Sequence, residues 1–216
     1  MTSPDYSRLA RRLPPVLVIL FCAGVLITLV AAHFLGSGEA QPVAGNKAEV
    51  TAVVVKESDS IDRAVRAGAP REYAKHYVRA AEANGLPWPL LAGIGEAESD
   101  HGTSTLPGIQ SGINSVGCCA GPMQICVDAS CGNVAATYAV DGDRDKQFSI
   151  YSPADAIWTA ANYLDWMTDL VGERPRILAA AYNAGPTIVS EVGIPDYPET
   201  QTYVDRVTRF MNRAGG

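Results

Sequence analysis

Glu98 stands where a carboxyl is suited to proton transfer. It follows the apolar run Leu90-Leu91-Ala92-Gly93-Ile94-Gly95, and residues three and four apart share a helix face. Leu91, Ile94 and Glu98 therefore form one stripe, while Glu96 points nearly the opposite way. A carboxyl at the end of an apolar stripe is partly desolvated, and desolvation raises its pKa. A carboxyl that keeps its proton near neutral pH can serve as a general acid. The plain alternative is a glutamate bonded to a loop at a helix end, because structural pairs also perturb pKa. Asp100, two residues on, faces away if the helix continues.

Three further segments lie downstream of Glu98-Ser99: Gly121-Pro122-Met123-Gln124, Ala181-Tyr182-Asn183-Ala184-Gly185 and Glu199-Thr200-Gln201-Thr202-Tyr203-Val204. Each alone is a weak signal. Together, in this order, they resemble the signature segments of the lysozyme-like lytic transglycosylases of the soluble-transglycosylase type, over roughly Tyr73 to Phe210. The resemblance implies an all-α, lysozyme-like domain whose cleft binds the alternating sugars of peptidoglycan. It makes Glu98 the single catalytic acid, and Ser99, Met123, Gln124, Tyr182, Asn183 and Tyr203 the residues around the glycan. Core packing is the alternative for Met123, Tyr182 and Tyr203, and a helix-end cap beside Gly185 for Asn183.

Most glycosidases flank the scissile bond with two carboxylates, and no second one has a motif behind it here. The resemblance implies that the substrate supplies the missing groups. The acetamido group of N-acetylmuramic acid assists departure, and the C6 hydroxyl attacks the anomeric carbon intramolecularly, which replaces water by a group already in place. The product is a 1,6-anhydro sugar. A lysozyme-type hydrolase and a non-catalytic wall-binding module are the competing readings.

The run Asp141-Gly142-Asp143-Arg144-Asp145-Lys146-Gln147 sets carboxylates at alternate positions. In a tight loop their oxygens converge, as a hard cation such as Ca²⁺ requires. A solvated acidic turn is the alternative, and the usual twelve-residue calcium loop fails because Ser152 stands where its closing Glu belongs. Ala139 to Ile157 with Ala161-Asn162-Tyr163 nevertheless resembles the calcium loop of the B-type membrane-bound lytic transglycosylases. That resemblance implies a structural Ca²⁺ held by Asp141, Asp143, Asp145, the carbonyl of Gln147, and Asp155. Arg144 and Lys146 should weaken it, and Asp155 also fits a capping box with Ser152. The chemistry itself needs no cofactor.

Cys118, Cys119, Cys126 and Cys131 fall in one short stretch, and its part after Gln124, Ile125 to Gly132, stands where the family pattern has a short helix start. In an oxidising compartment a clustered, even set reads as a disulfide framework. Zinc competes, but the spacing lacks the paired pattern of common zinc sites. Two disulfides are expected, joining the first two cysteines to the last two, since adjacent residues bridge with difficulty. Which of the two ways is used stays open.

The elements around these residues read as helices. Pro70 is placed to start one that Gly85 stops, and a second runs from Pro87 to about Gly102. Thr103 to Ala120 is loop. Ser152 caps a longer helix, with Pro153 first and Ile157, Ala161, Leu164, Met167 and Val171 on one stripe, ending at Gly172. Two more cover about Pro175–Ala184 and Glu199–Arg213. No sustained strand alternation occurs. The expected organisation is a cytoplasmic N-terminus over residues 1–15, an anchor over 16–35, a linker over 36–69 whose apolar patch, Val50 to Val55, suits a strand or short helix, and the catalytic domain over 70–213.

The anchor, Val16 to Leu35, is uncharged and long enough to cross a bilayer. Arg8, Arg11 and Arg12 precede it, so the positive-inside rule places the following chain outside the cell membrane. A cleaved signal peptide is the competing reading, although its apolar core is usually shorter. Cys22 within the run is a small hydrophobe. A net charge of −6 over 216 residues lacks the basic footprint of nucleic-acid binding. The expected partners are glycan strands, the membrane, and cell-wall or secretion-complex proteins.

Overall fold

The computed structural model describes residues 47–215. The apolar segment 16–35 and Cys22 lie outside the described residues. Among those described, no helix is long and apolar enough to cross a membrane.

The chain folds in the order α1 (Lys47–Arg66), α2 (Arg71–Ala83), α3 (Trp88–Ser99), β1 (Cys119–Ala120), β2 (Ile125–Cys126), α4 (Val134–Tyr138), α5 (Pro153–Val171), α6 (Pro175–Ala184), α7 (Pro186–Val192) and α8 (Pro198–Gly215). Most of the stretch read as a linker is therefore α1. Residues 47–66 contain no Gly or Pro, and Ile61, Ala64 and Val65 recur at helical spacing and join the core. Proline near the start and glycine at the end bound α5 and α6 as expected, whereas Pro70 caps α2 rather than opening it. Ser152 accepts a hydrogen bond from the Asp155 N–H, and Gly172 ends α5.

The all-α expectation holds apart from one hairpin. β1 and β2 pair antiparallel, Cys119 opposite Cys126 and Ala120 opposite Ile125. Strands of two residues are too short to show any alternation. α4 and α7 are likewise too short for a periodic signal.

α3 runs through the middle of the domain, packed against α2, α5, α6 and α8. Leu90, Leu91, Ala92 and Ile94 are wholly buried, as befits a helix apolar on every side. Two glycines permit this close packing. A Cβ on Gly93 would stand 3.0 Å from the Val207 carbonyl oxygen of α8. A Cβ on Gly95 would overlap the Tyr77 hydroxyl of α2. α8 lays Val204, Val207, Phe210 and Ala214 into the core. Its outer face is tied across by Arg206 to Asp100 and by Arg213 to Glu96. Partly exposed pairs of this kind contribute little, about 0–1 kcal/mol each.

Candidate active site

Glu98 ends α3 where the helix must stop. Asp100 and His101 take positive φ, 50° and 56°, and Gly102 follows at 77°. This reversal brings the buried Ser99, 2% exposed, against the hairpin. Its Oγ donates to the Pro122 carbonyl at 2.6 Å and accepts the Gly102 N–H at 2.7 Å. Both functions of the hydroxyl are thus taken by protein. Ser99 clasps the loop between β1 and β2 to the end of α3.

Glu98 itself is partly buried, and its Oε1 accepts the Tyr203 hydroxyl at 2.7 Å. Desolvation pushes its pKa up to about 7. The Tyr203 hydrogen bond and the Arg206 charge oppose the rise, while Cys126 and Glu199 add to it, Glu199 least. Burial also holds the Tyr203 and Tyr182 hydroxyls well above their usual range, with the Glu98 charge next in effect. Both remain donors. Asp100, bound by Arg206, is exposed.

The loop Gly121–Gln124 forms the wall beside the acid. Met123 is wholly buried, its sulfur 4.0 Å from the Tyr77 hydroxyl. Its carbonyl, rather than its side chain, meets the site, accepting the Tyr182 hydroxyl at 2.8 Å. Gln124 sits at φ 46°, a strained position for a residue with a Cβ and a kind that clusters at functional sites. Its amide donates to the Gly121 carbonyl at 3.0 Å and accepts from Asn114 at 3.1 Å. Asn114 also accepts the N–H groups of Cys118 and Cys119 at 3.1 and 3.3 Å. Nothing in its sequence neighbourhood marks this role. Asn183 accepts the Thr200 hydroxyl at 2.7 Å, joining the end of α6 to the start of α8.

A cleft of about 480 Å³ adjoins this wall, lined among others by Gln124, Cys126, Tyr138, Tyr163, Trp166 and Tyr182. Tyr163 and Trp166 stack with their rings 10° apart and centroids 5.7 Å apart. Tyr138 lies 5.0 Å from Tyr163, and Tyr163 6.1 Å from Tyr182. Flat aromatic faces with polar tips suit the apolar faces and hydroxyl edges of sugar rings. The sequence reading did not single out Tyr138 and Trp166. The available signal was Tyr163 and Trp166 three apart on α5, hence on one face.

One disulfide joins Cys118 and Cys131, with Cα atoms 6.2 Å apart. Cys119 and Cys126 face each other as thiols, sulfur to sulfur at 2.8 Å. One of the two expected bonds is present, and the other two sulfurs are adjacent. A zinc site of Cys118, Cys119 and Cys131 would need thiolates that the disulfide consumes.

The acidic loop gathers three of its five expected ligands. Oxygens of Asp141, Asp143 and Asp155 lie within 4.8 Å of one another. Asp155, 2% exposed, accepts the N–H groups of Gly142 and Ser149, both at 2.8 Å, and so stitches the two ends of the loop together. Asp145 lies outside the trio, accepting the Gln147 N–H at 2.7 Å. At Asp143 the Asp145 N–H pulls the pKa down, but desolvation and the charges of Asp145, Asp155 and Asp141 together carry it above its ordinary value. Clustered hard oxygens with uncompensated charge fit a Ca²⁺-type donor set.

Comparison with protein families matches residues 76–198 to the transglycosylase SLT domain. No curated protein and no solved structure gave a match. The matched stretch holds Glu98, the hairpin wall, the aromatic cleft and the acidic loop.

Proposed function

Since the chain belongs to the transglycosylase SLT domain family, and so to the lytic, lysozyme-like enzymes of peptidoglycan, we propose that it cleaves the β-1,4 bond between N-acetylmuramic acid and N-acetylglucosamine with formation of 1,6-anhydro-N-acetylmuramic acid. The observation that carries this reading is Glu98, a carboxyl with a pKa near 7, held by Tyr203 at 2.7 Å beside an aromatic cleft. Near neutrality such a group is populated in both forms, as one residue acting first as acid and then as base requires.

In the first step protonated Glu98 gives its proton to the leaving glycosidic oxygen. The acetamido oxygen of the muramic acid supports the anomeric carbon as that bond breaks. In the second step the Glu98 carboxylate takes the proton of the C6 hydroxyl, whose oxygen closes on the anomeric carbon. Glu98 ends protonated and no water is consumed. Tyr203 stabilises the carboxylate between the steps, and the Met123 carbonyl anchors Tyr182 beside it. Tyr163 and Trp166 offer the stacking surface for a neighbouring sugar. Digestion of purified peptidoglycan with mass analysis tests the chemistry. A product lighter by one water than the reducing sugar is expected, and a reducing end would make the enzyme a hydrolase.

Two further assignments belong to this proposal. Residues 16–35 anchor the chain once in the bacterial cell membrane, with the catalytic domain outside. Asp141, Asp143 and Asp155 hold a structural Ca²⁺, joined by Asp145 and the Gln147 carbonyl on loop rearrangement. Its role would be to stiffen the loop leading into α5, with no part in the reaction.

A further inference from the structure

The four cysteines between residues 118 and 131 are not equivalent. Cys118 and Cys131 are joined, whereas Cys119 and Cys126 oppose each other across the two strands with their sulfurs 2.8 Å apart. The backbone of Cys119 turns away from Cys126. Its N–H donates to the Asn114 side chain at 3.3 Å, and its carbonyl accepts the Asn114 N–H at 2.9 Å. The next pair outward, Cys118 and Val127, does share a backbone bond, at 3.0 Å. Cys119 and Cys126 therefore occupy a non-hydrogen-bonded pair of the antiparallel ladder, where Cα atoms approach to about 4.5 Å. That spacing lies inside the range a disulfide spans.

The pair also closes the base of the loop that matters most. Between the two cysteines lie Gly121 to Gln124, which meet Ser99 through the Pro122 carbonyl and Tyr182 through the Met123 carbonyl. Cys126 lines the aromatic cleft, and Cys119 and Cys126 are both only half-buried. The Cys119 thiol bonds to Cys126, which holds the Cys126 pKa low and the Cys119 pKa high. Cys126 is then the readier nucleophile of the two.

We propose that Cys119 and Cys126 form a reversible second disulfide that clamps the Gly121–Gln124 wall and thereby sets the activity of the site, with Cys118–Cys131 as the permanent bond. This control rests on the glycan-cleaving reading; the clamp itself does not. The co-reactant is an external disulfide, of the glutathione or dithiol-oxidant class. The Cys126 thiolate attacks one of its sulfurs, breaking that S–S bond and releasing a thiolate. Cys119 loses its proton to solvent and attacks the Cys126 sulfur, expelling the second thiolate. Two protein thiols are oxidised and one external disulfide is reduced to two thiols.

The test equilibrates the full chain in detergent with mixtures of reduced and oxidised glutathione. Alkylation with peptide mapping should find the Cys119–Cys126 linked peptide appearing and vanishing reversibly, while Cys118–Cys131 stays linked throughout. Amide exchange at Gln124 should slow on the order of tenfold when the pair closes. Peptidoglycan turnover should rise several-fold with the closed fraction, and Cys119→Ser with Cys126→Ser should make exchange and turnover indifferent to the glutathione ratio. Thiols that stay free in oxidised glutathione, or closure with unchanged Gln124 exchange, would overturn the clamp. A clamp that closes and slows exchange while turnover stays constant would overturn its control of activity. Absence of turnover in every state would defeat the cleavage reading and with it the control, while exchange would still decide the clamp.

Discussion

At the scale of single residues, proton transfer is concentrated on one carboxyl and the hydroxyl that holds it. Glu98→Gln keeps the shape of the side chain but removes the exchangeable proton, so peptidoglycan turnover should fall at least about a thousandfold. The same change should stabilise the fold above pH 7. A carboxyl raised from 4.5 to about 7 binds its proton more tightly when folded, so stability is full at low pH and is lost as pH rises through 7. Urea unfolding at pH 8 should show Glu98→Gln more stable than wild type by on the order of 1–2 kcal/mol. Tyr203→Phe removes a bond that lowers the Glu98 pKa, so the alkaline limb of the pH–rate profile should move upward and the maximal rate drop on the order of tenfold. Glu98 was legible in the sequence because the motif segments downstream decide between a desolvated acid at the end of an apolar stripe and a plain helix-end glutamate. Tyr203 was legible only as part of a motif, since its partner is 105 positions away. The division of labour at Ser99 and Met123, where protein takes the hydroxyl and the carbonyl faces the site, depends on tertiary contacts that residue type does not reveal.

At the scale of elements, α3 decides how near the acid comes to everything else. Gly93 and Gly95 let α8 and the Tyr77 hydroxyl of α2 approach its backbone. Gly95→Ala drives a methyl group into that wholly buried tyrosine, for which Met123 and His101 leave little room. Although Ala is the better helix former, overpacking should cost about 1–3 kcal/mol, readable as a lowered midpoint in urea. Gly85→Ala meets no side-chain or backbone atom and shows the cost of the left-handed turn alone. The helices α5 and α6 were readable because serine or proline starts them and glycine ends them, and α8 because Val204, Val207 and Met211 recur at helical spacing. The hairpin was not, because its strands span two residues each and its register depends on Asn114 and the cysteines. α1 was legible only as a strand or short helix within a linker, because small and polar residues surround its few apolar contacts.

At the scale of the whole molecule, the expected tether and the metal loop have direct measurements. A reporter fused after Gly216 should be active only outside the cell membrane, and a soluble mature protein beginning near Gln41 would instead show a cleaved leader. Millimolar calcium should raise the melting temperature of the full chain by a few degrees, roughly the shift that 1 kcal/mol gives in a protein of this size. Asp143→Ala with Asp145→Ala should abolish the rise. Asp141 and Asp143 were legible from alternate spacing and Asp155 from the family resemblance, yet the displacement of Asp145 was not, since it follows from the path of the loop through Arg144 and Lys146 at φ 64° and 70°. The first and last helices of the domain also meet. The Arg63 guanidinium of α1 donates to the Ala214 carbonyl of α8 at 2.7 and 3.0 Å, and Arg213 reaches back to the Ala67 carbonyl at 3.4 Å. A pull on α1 from its N-terminal end would meet the Arg79–Glu57 pair and the packing against α2 before it reached this seam. None of the residues lining the aromatic cleft takes part in these bonds, so loosening α1 would break none of the contacts that shape it.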